Sequence, residues 1–469
     1  MKRLWWLWLV AFPFACRKKD NPIPRQAPLA RFFLDSIGLE QEDRLPSRFS
    51  LSWSGDDPDG YVVGYELRIN GGPWSFTTAQ ESTFVVSFEP GTQYKDVIFE
   101  LRAVDNDGLR TEPPARLRVP LRNSPPTCRI DASIAPPDTA LIAITLSIVI
   151  DDPDGRESVD SVYIRIGSAG SWTPFSPRHT LLTLVPQNPS ALSPTLVYVG
   201  SSLNPAFTIP TALPLDDTLR LYVRAKDQGG LFSEIDSTNT IFLRRKNSDW
   251  LVMDSWTDNT AIDTMDGLFR QAWGGYDYWN LRRATQRPPL RLPTWLHILR
   301  AYPRVYWIGS QPSTEEFEVS ETLIEQYLSG GGRLFVNLPL RHDLGESSPI
   351  FRWSPADSIS KVQQNGLLAS GSSVSSTQTG FPNLTNGLPF FMSSINPPYP
   401  KGTATIIYEM PNLFQGNGQP WPSSLSRAAA VGFPIGGGKF RQILCILPVH
   451  QLGGDRIAFL TALQNALQP

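Results

Sequence analysis

The chain has 469 residues, 41% of them apolar, with 42 Lys and Arg against 44 Asp and Glu for a net charge of −2. That length gives room for roughly three domains of ~100–200 residues and enough apolar side chain for packed cores, which excludes a disordered chain. The near-balanced charge carries no electrostatic footprint for nucleic acid. Cys16, Cys128 and Cys445 supply no disulfide framework, and with His179, His297, His342 and His450 scattered they show no zinc-ligand spacing.

Lys2 and Arg3 precede an apolar run, Leu4 to Phe12, and then Pro13-Phe14-Ala15-Cys16. A positive start, a short apolar core and a small residue at the cut describe a secretory leader over residues 1–15. The run is too short to cross a ~30 Å hydrocarbon core, which takes ~20 helical residues. Ala15 directly before Cys16 resembles a bacterial lipoprotein signal, with Pro13 and Phe14 standing where such signals carry Leu and a small or branched residue. The resemblance implies cleavage before Cys16, lipidation of its thiol, and an anchor in the cell envelope, in the outer membrane. Without it the chain is a plainly secreted protein. Residues 16–27, with Arg17-Lys18-Lys19 and Asn21-Pro22-Ile23-Pro24, read as a polar, proline-stiffened tether.

Two modules follow, residues 28–122 and 123–246. Phe49-Ser50-Leu51-Ser52-Trp53 alternates apolar and polar at period two, as a half-buried strand does. Tyr61 to Ile69, Phe84 to Phe88 and Phe99 to Ala103 supply further strands, and Asn70-Gly71-Gly72 is a hairpin signal. The turn Asp56-Asp57-Pro58-Asp59-Gly60 recurs as Asp151-Asp152-Pro153-Asp154-Gly155. Leu101-Arg102-Ala103-Val104-Asp105-Asn106-Asp107-Gly108-Leu109 is likewise echoed by Val223-Arg224-Ala225-Lys226-Asp227-Gln228-Gly229-Gly230-Leu231. A repeat of this length, built of short alternating runs and Asp/Pro/Gly turns, predicts tandem β-sandwiches.

Trp53, Tyr65 and Phe99-x-Leu101-x-Ala103-x-Asp105-x-Asp107-Gly108 resemble a fibronectin type III module. In the second module Ile148 replaces the tryptophan and residues 167–212 form a Pro/Ser-rich insertion, so it reads as Ig-like or fibronectin-like. The resemblance implies adhesion, spacing or ligand presentation. In such a sandwich the loops holding Asp56, Asp57, Asp59 and Asp105, Asp107 emerge at one end, where their carboxylates could surround Ca²⁺. Tight turns use Asp and Gly anyway, which is the plainer explanation. The second module keeps Asp151, Asp152 and Asp154 with Asp227 opposite.

From residue 247 the pattern changes. Trp250 to Asp254, Val305 to Gly309 and Arg333 to Asn337 are continuous apolar strands of the kind buried on both faces of a parallel sheet. Asp263 to Trp273, Ser320 to Ser329 and Asp455 to Leu467 carry helical stripes. Ile406 to Tyr408, Ala428 to Phe433 and Ile443 to Leu447 add strands. The alternation predicts a three-layer α/β domain with a mostly parallel sheet over residues 247–469. Ala301 to Gly309 followed by Tyr327-Leu328-x-Gly330-Gly331-Gly332-Arg333-Leu334-Phe335-Val336 resembles the class I glutamine amidotransferase-like fold, in its non-catalytic versions.

Active members of that family place a Cys on a sharp Gly-x-Cys-x-Gly turn, whereas the matching Val336-Asn337-Leu338-Pro339-Leu340 has no nucleophile. Cys445 reads as a core thiol, His450 as a histidine with nothing to activate, and Ser310 as a structural serine. Ligands of open α/β sheets sit at the carboxyl ends of strands, here Asp254, Ser255, Gly309, Ser310, Gln311 and Asn337, unless residues 340–400, with the serine-rich Ser370 to Ser376, cover them. The chain as a whole reads as a non-catalytic envelope lipoprotein that binds a protein or glycan partner. The alternative is a secreted hydrolase of amide or glycosidic bonds, with Asp254 and Asp258 as first candidates.

Overall fold

A computed structural model describes residues 25–34, 44–89, 91–283, 293–310, 321–362 and 365–469, and the strands and sheets counted below are those of the described residues. The chain forms two compact units. The first is Met1–Ser124 with Pro153–Ser158 and Gln228–Leu231; the second is Pro125–Asp152, Val159–Asp227 and Phe232–Pro469.

The first unit is a β-sandwich of β1 (Leu29–Phe33), β2 (Leu45–Pro46), β3 (Arg48–Asp56), β4 (Val62–Ile69), β5 (Ser75–Thr77), β6 (Glu81–Val85), β7 (Tyr94–Asp105) and β8 (Ala115–Arg122). One sheet runs β1-β3-β6 and the other β2-β8-β7-β4-β5. Period-two patterning sends Phe49, Leu51 and Trp53 inward against Tyr65, Phe99, Leu101 and Val119, and the ring of Phe49 meets that of Phe99 edge-on at 5.8 Å. Asn70 and Gly71 take positive φ (49° and 74°), and the Gly72 N–H closes the β4–β5 turn on the Ile69 carbonyl. That two-residue geometry suits the right-handed strand twist.

The second unit opens with another sandwich: β9 (Thr127–Ile130), β10 (Thr139–Leu141), β11 (Ile144–Asp151), β12 (Val159–Ile166), β13 (Thr173–Phe175), β14 (Leu181–Pro186), β15 (Pro194–Val199), β16 (Phe207–Ala212), β17 (Asp217–Leu219), β18 (Leu221–Asp227), β19 (Asp236–Ser237) and β20 (Ile241–Arg244). Its sheets run β16-β15-β14-β11-β9, β13-β12-β18-β19 and β10-β20-β17. Residues 167–212, an insertion to the eye, supply four of these strands. Their alternating Leu182, Leu184, Val197 and Ile209 are fully buried in the common core with Ile148 and Ile164.

The rest of the unit contains β21 (Trp250–Ser255), α1 (Thr260–Trp273), β22 (Asp277–Asn280), α2 (Thr294–Arg300), β23 (Arg304–Gly309), α3 (Glu321–Ser329), β24 (Arg333–Asn337), α4 (Pro349–Trp353), β25 (Ala356–Ile359), β26 (Gly366–Leu368), β27 (Ser373–Ser376), β28 (Leu384–Asn386), β29 (Met392–Ile395), β30 (Pro398–Pro400), β31 (Thr405–Glu409), β32 (Leu413–Gln415), β33 (Ala428–Gly436), β34 (Lys439–Cys445), β35 (Leu452–Gly454) and α5 (Arg456–Ala466). A ten-stranded sheet runs β22-β21-β23-β24-β34-β33-β31-β27-β28-β35, beside the small sheets β25-β30 and β29-β26-β32. Helix α1 buries Ala261, Ile262, Met265 and Phe269 on one stripe and stops at Gly274 (φ 76°), whose N–H bonds the Arg270 carbonyl. The Asp455 carboxylate caps α5 through the Ala458 N–H at 2.8 Å.

This corrects the predicted fold class. The chain is 44% strand and 13% helix, and the C-terminal region is itself β-rich, not a three-layer α/β domain of amidotransferase-like type. Within the large sheet β22, β21, β23, β24 and β34 pair in parallel, and the other five pairings are antiparallel. Continuous apolar runs mark β21, β23 and β24 in the sequence. Segments such as Ser373–Ser376 and Met392–Ile395 are four residues long and half or more serine, and they become strands through their partners. No helix among the described residues is long and apolar enough to cross a membrane.

Candidate functional site

The carboxyl ends of β21, β23 and β24 lie side by side, with Ser255 opposite Gly309 and Ile308 opposite Asn337. The polar groups there are spent on the fold. Asp254 is fully buried; one carboxylate oxygen accepts the Trp256 N–H at 2.9 Å, and the other accepts Tyr278 Oη–H at 2.6 Å and Arg282 at 3.1 Å. Burial, and then the bond to Asp254, raises the Tyr278 phenol above its ordinary range. Ser255 Oγ donates to the Ile308 carbonyl at 3.0 Å and accepts from Trp307 Nε1 at 3.2 Å, stitching β21 to β23. Asn337 is buried; its Nδ2 donates to the carbonyls of Cys445 (3.1 Å) and Leu447 (2.6 Å), and its Oδ1 accepts the Val449 N–H at 3.0 Å. Gly309 is buried backbone. Gln311 lies outside the described residues, as does Cys16.

Of the other reactive side chains, Asp258 and His450 lie near enough to act on each other's charge. Burial pushes the Cys445 thiol up to about 12, so it stays protonated at neutral pH. Burial pushes the His450 imidazole down to about 4, with Asp258 opposing and Arg456 adding to the shift; its ring meets Trp256 edge-on at 4.6 Å. Asp258 accepts the Thr260 N–H at 2.8 Å, and hydrogen bonding from the Thr260 side chain, then from that N–H, lowers its pKa. Ser310 lines a cleft of about 660 Å³ whose lining includes Arg341, His342 and Asp343 but not His450. Within it Arg341 and Asp343 are bonded to each other, which holds the Asp343 carboxyl low.

A second cleft of about 270 Å³ shares Pro339, Leu340, Ser394 and Asn396 with the first. Phe390 (62% exposed) and Phe391 (57%) form its lip. Asn396 Nδ2 donates to the Leu340 carbonyl at 2.9 Å and the Ser394 carbonyl at 3.2 Å, bracing Ser394 in a left-handed conformation (φ 61°) rare for a residue with a Cβ. An exposed aromatic lip over a mainly apolar cleft, with Asn396 bonded within the fold, can hold a ligand. Neither Phe390 nor Ser394 carries a sequence motif, and the exposed Phe-Phe pair is the one signal that points to them.

The acidic loops also have partners. In the first unit Asp105 is buried and accepts the N–H groups of Asp107 and Leu109 at 2.9 and 2.8 Å. Asp59 accepts the Gln26 N–H at 3.2 Å, and Asp107 pairs with Arg25 at 3.3 Å. Desolvation, then the nearness of Asp59 and Asp105, raises the Asp57 carboxyl, while Asp56 ends β3 exposed. Among the described residues no three His, Cys, Asp or Glu side chains are grouped so that they could hold a metal ion. Asp154, from the second copy of the turn, is fully buried in the first unit and accepts the N–H groups of Ser47 (2.5 Å) and Ser124 (2.7 Å).

No family model and no curated protein matches the chain. Among solved structures, the chain is similar to the fibronectin(III)-like modules of Clostridium thermocellum CbhA, at 15% identity over 46% of this chain and 94% of that one, with a TM-score of 0.18. A two-domain fibronectin type III segment of chicken tenascin gives 15%, 44%, 98% and 0.21. The PKD1 domain of the Vibrio cholerae metalloprotease PrtV gives 21%, 21%, 99% and 0.15. The two sandwiches are assigned from the strand pairing described above.

Proposed function

We propose that the chain is a non-catalytic lipoprotein of the cell envelope, anchored to the outer membrane through Cys16, that binds or assembles a protein or glycan partner. One observation carries the non-catalytic part: Asp254, Ser255 and Asn337, the side chains best placed for chemistry, are consumed by bonds within the fold. A general base or nucleophile needs a free lone pair or a pKa near working pH. The clefts beside them suit binding, with Phe390 and Phe391 as apolar anchors. The leader and the Ala15-Cys16 junction support the anchor, and the sandwiches support a presenting role.

The anchor is tested by metabolic labelling with a fatty-acid analogue. Label is expected on the full chain and lost in Cys16→Ala; label surviving that change rules the anchor out. Incubation of the purified chain with amide, ester and glycoside substrates is expected to give no turnover. Turnover abolished by Asp254→Asn would overturn the non-catalytic role.

A further inference from the structure

The outer faces of the two sandwiches carry the same frame with different charge. In the first, Trp74 lies against Arg68 and Arg102, each guanidinium 4.4 and 4.3 Å from the ring centre. In the second, Trp172 lies against Arg165 and Arg224, both at 4.5 Å. The strand registers make these equivalent. Arg68 faces Glu100 and Glu66 faces Arg102 between β4 and β7, as Arg165 faces Tyr222 and Tyr163 faces Arg224 between β12 and β18.

The partners differ. In the first sandwich Arg68 pairs with Glu100 (2.7 Å), Arg102 with Glu112 (2.8 Å) and Arg110 with Glu66 (3.0 Å). In the second, Tyr163 and Tyr222 stand where Glu66 and Glu100 stood, Phe232 replaces Arg110, and Lys226 replaces Val104. Arg224 lies 4.1 Å from the Phe232 ring centre, Arg165 lies 4.8 Å from that of Tyr222, and Lys226 Nζ is 5.9 Å from Phe232. Among the described residues no carboxylate pairs with Arg165, Arg224 or Lys226, and this is what sets the second face apart, since the Nε atoms of both arginines are buried without a hydrogen-bond partner just as that of Arg102 is.

We infer that this face of the second sandwich binds an extended acidic peptide, with carboxylates on alternate residues received by Arg165, Arg224 and Lys226. Stacking covers the flat faces of the guanidinium groups and buries their Nε atoms, which leaves the paired terminal Nη groups as the part that meets a carboxylate end-on in two parallel hydrogen bonds. The spacing fits. Arg224 and Lys226 are two apart on β18, about 6.6 Å, and Arg165 is a diagonal neighbour of Arg224, about 7–8 Å away. Alternate side chains of an extended peptide are about 6.6 Å apart. An acidic glycan suits the face less well, because the rings a sugar would stack on are already covered by cations. This site deepens the binding role proposed above and rests on it.

The test uses the full chain and a fluorescent peptide with three Glu alternating with Thr, its Gln counterpart, and an oligogalacturonate. Saturable binding of the Glu peptide is expected, weakened by added salt, with none of the Gln peptide. Arg165→Gln and Arg224→Gln should each weaken binding about tenfold. Tyr222→Glu, which rebuilds the first sandwich's pairing, should abolish binding without disturbing the fold, and Arg102→Gln in the first sandwich should change nothing. Equal binding of both peptides, tighter binding of the oligogalacturonate, or binding indifferent to Tyr222→Glu would overturn the inference. Failure of the peptide alone leaves the non-catalytic role standing, whereas substrate turnover removes that role whatever the peptide does.

Discussion

The two sandwiches repeat a turn, a strand pair and an Arg–Trp–Arg stack, yet one outer face is neutralised by Glu66, Glu100 and Glu112 and the other is covered by Tyr163, Tyr222 and Phe232. Their interiors diverge as well: Trp53 fills the place held by Ile148. A repeated scaffold constrains the inward positions by volume and leaves alternate outward positions free to change charge. Partner chemistry is therefore to be sought on the outward residues, even where the turns match letter for letter.

The largest separation between the two units is expected from their cores. Trp53→Ala should cost the first unit about 3–5 kcal/mol, and Ile148→Ala the second about 2–5 kcal/mol. Calorimetry should show each change moving one transition and leaving the other in place; a joint shift would mean the two unfold as one.

Acid should separate them next. The chain's four histidines all lie in the second unit. Burial lowers His297 and His450 from 6.5 to about 4, so the unfolded chain takes up these protons first. Their contribution is intact above pH 6.5 and falls as pH drops towards 4, at up to about 1.4 kcal/mol per pH unit for each histidine. In the first unit the arginine partners of Asp96 and Glu100 hold both carboxyls below their ordinary values of 3.8 and 4.5. That contribution is present above those values and is lost only as pH falls beneath them. Melting followed from pH 7 to pH 3 should lower the second transition before the first, and the reverse order would contradict the assignment.

The smallest contrast is between the stacks. Trp74→Ala leaves Arg68 and Arg102 with their glutamates and should cost about 1 kcal/mol. Trp172→Ala strips the cover from two unpaired cations and should cost about 2 kcal/mol. Equal costs in thermal melts would mean the missing acids do not matter to stability.

Much of the sandwich architecture was legible because period-two alternation leaves a trace in residues such as Phe49, Leu51 and Trp53. The C-terminal sheet was legible only where both faces are buried, in Trp250–Ser255, Arg304–Gly309 and Arg333–Asn337. Its antiparallel half hides in segments of three or four residues, too short for any period to register. The strand-end residues were located by topology, but their engagement was not visible, since the side-chain donors to Asp254 come from Tyr278 and Arg282 on a distant stretch of chain. The Arg–Trp–Arg stacks leave no such trace in the sequence, although Trp74 and Trp172 occupy matching places. A tryptophan two or three residues after a glycine turn suggests a core residue until the register shows it facing outward.

Cys128 and Cys445 give the second unit built-in clocks. Both are buried, and burial pushes each thiol up to about 12, so neither reacts with an alkylating reagent at neutral pH while its strand is closed. Cys128 sits on β9 of the sandwich and Cys445 at the end of β34 in the large sheet. The rate at which each is trapped therefore times the opening of its own sheet, and the ratio of the two rates ranks which half of the unit breathes first, with no engineered probe.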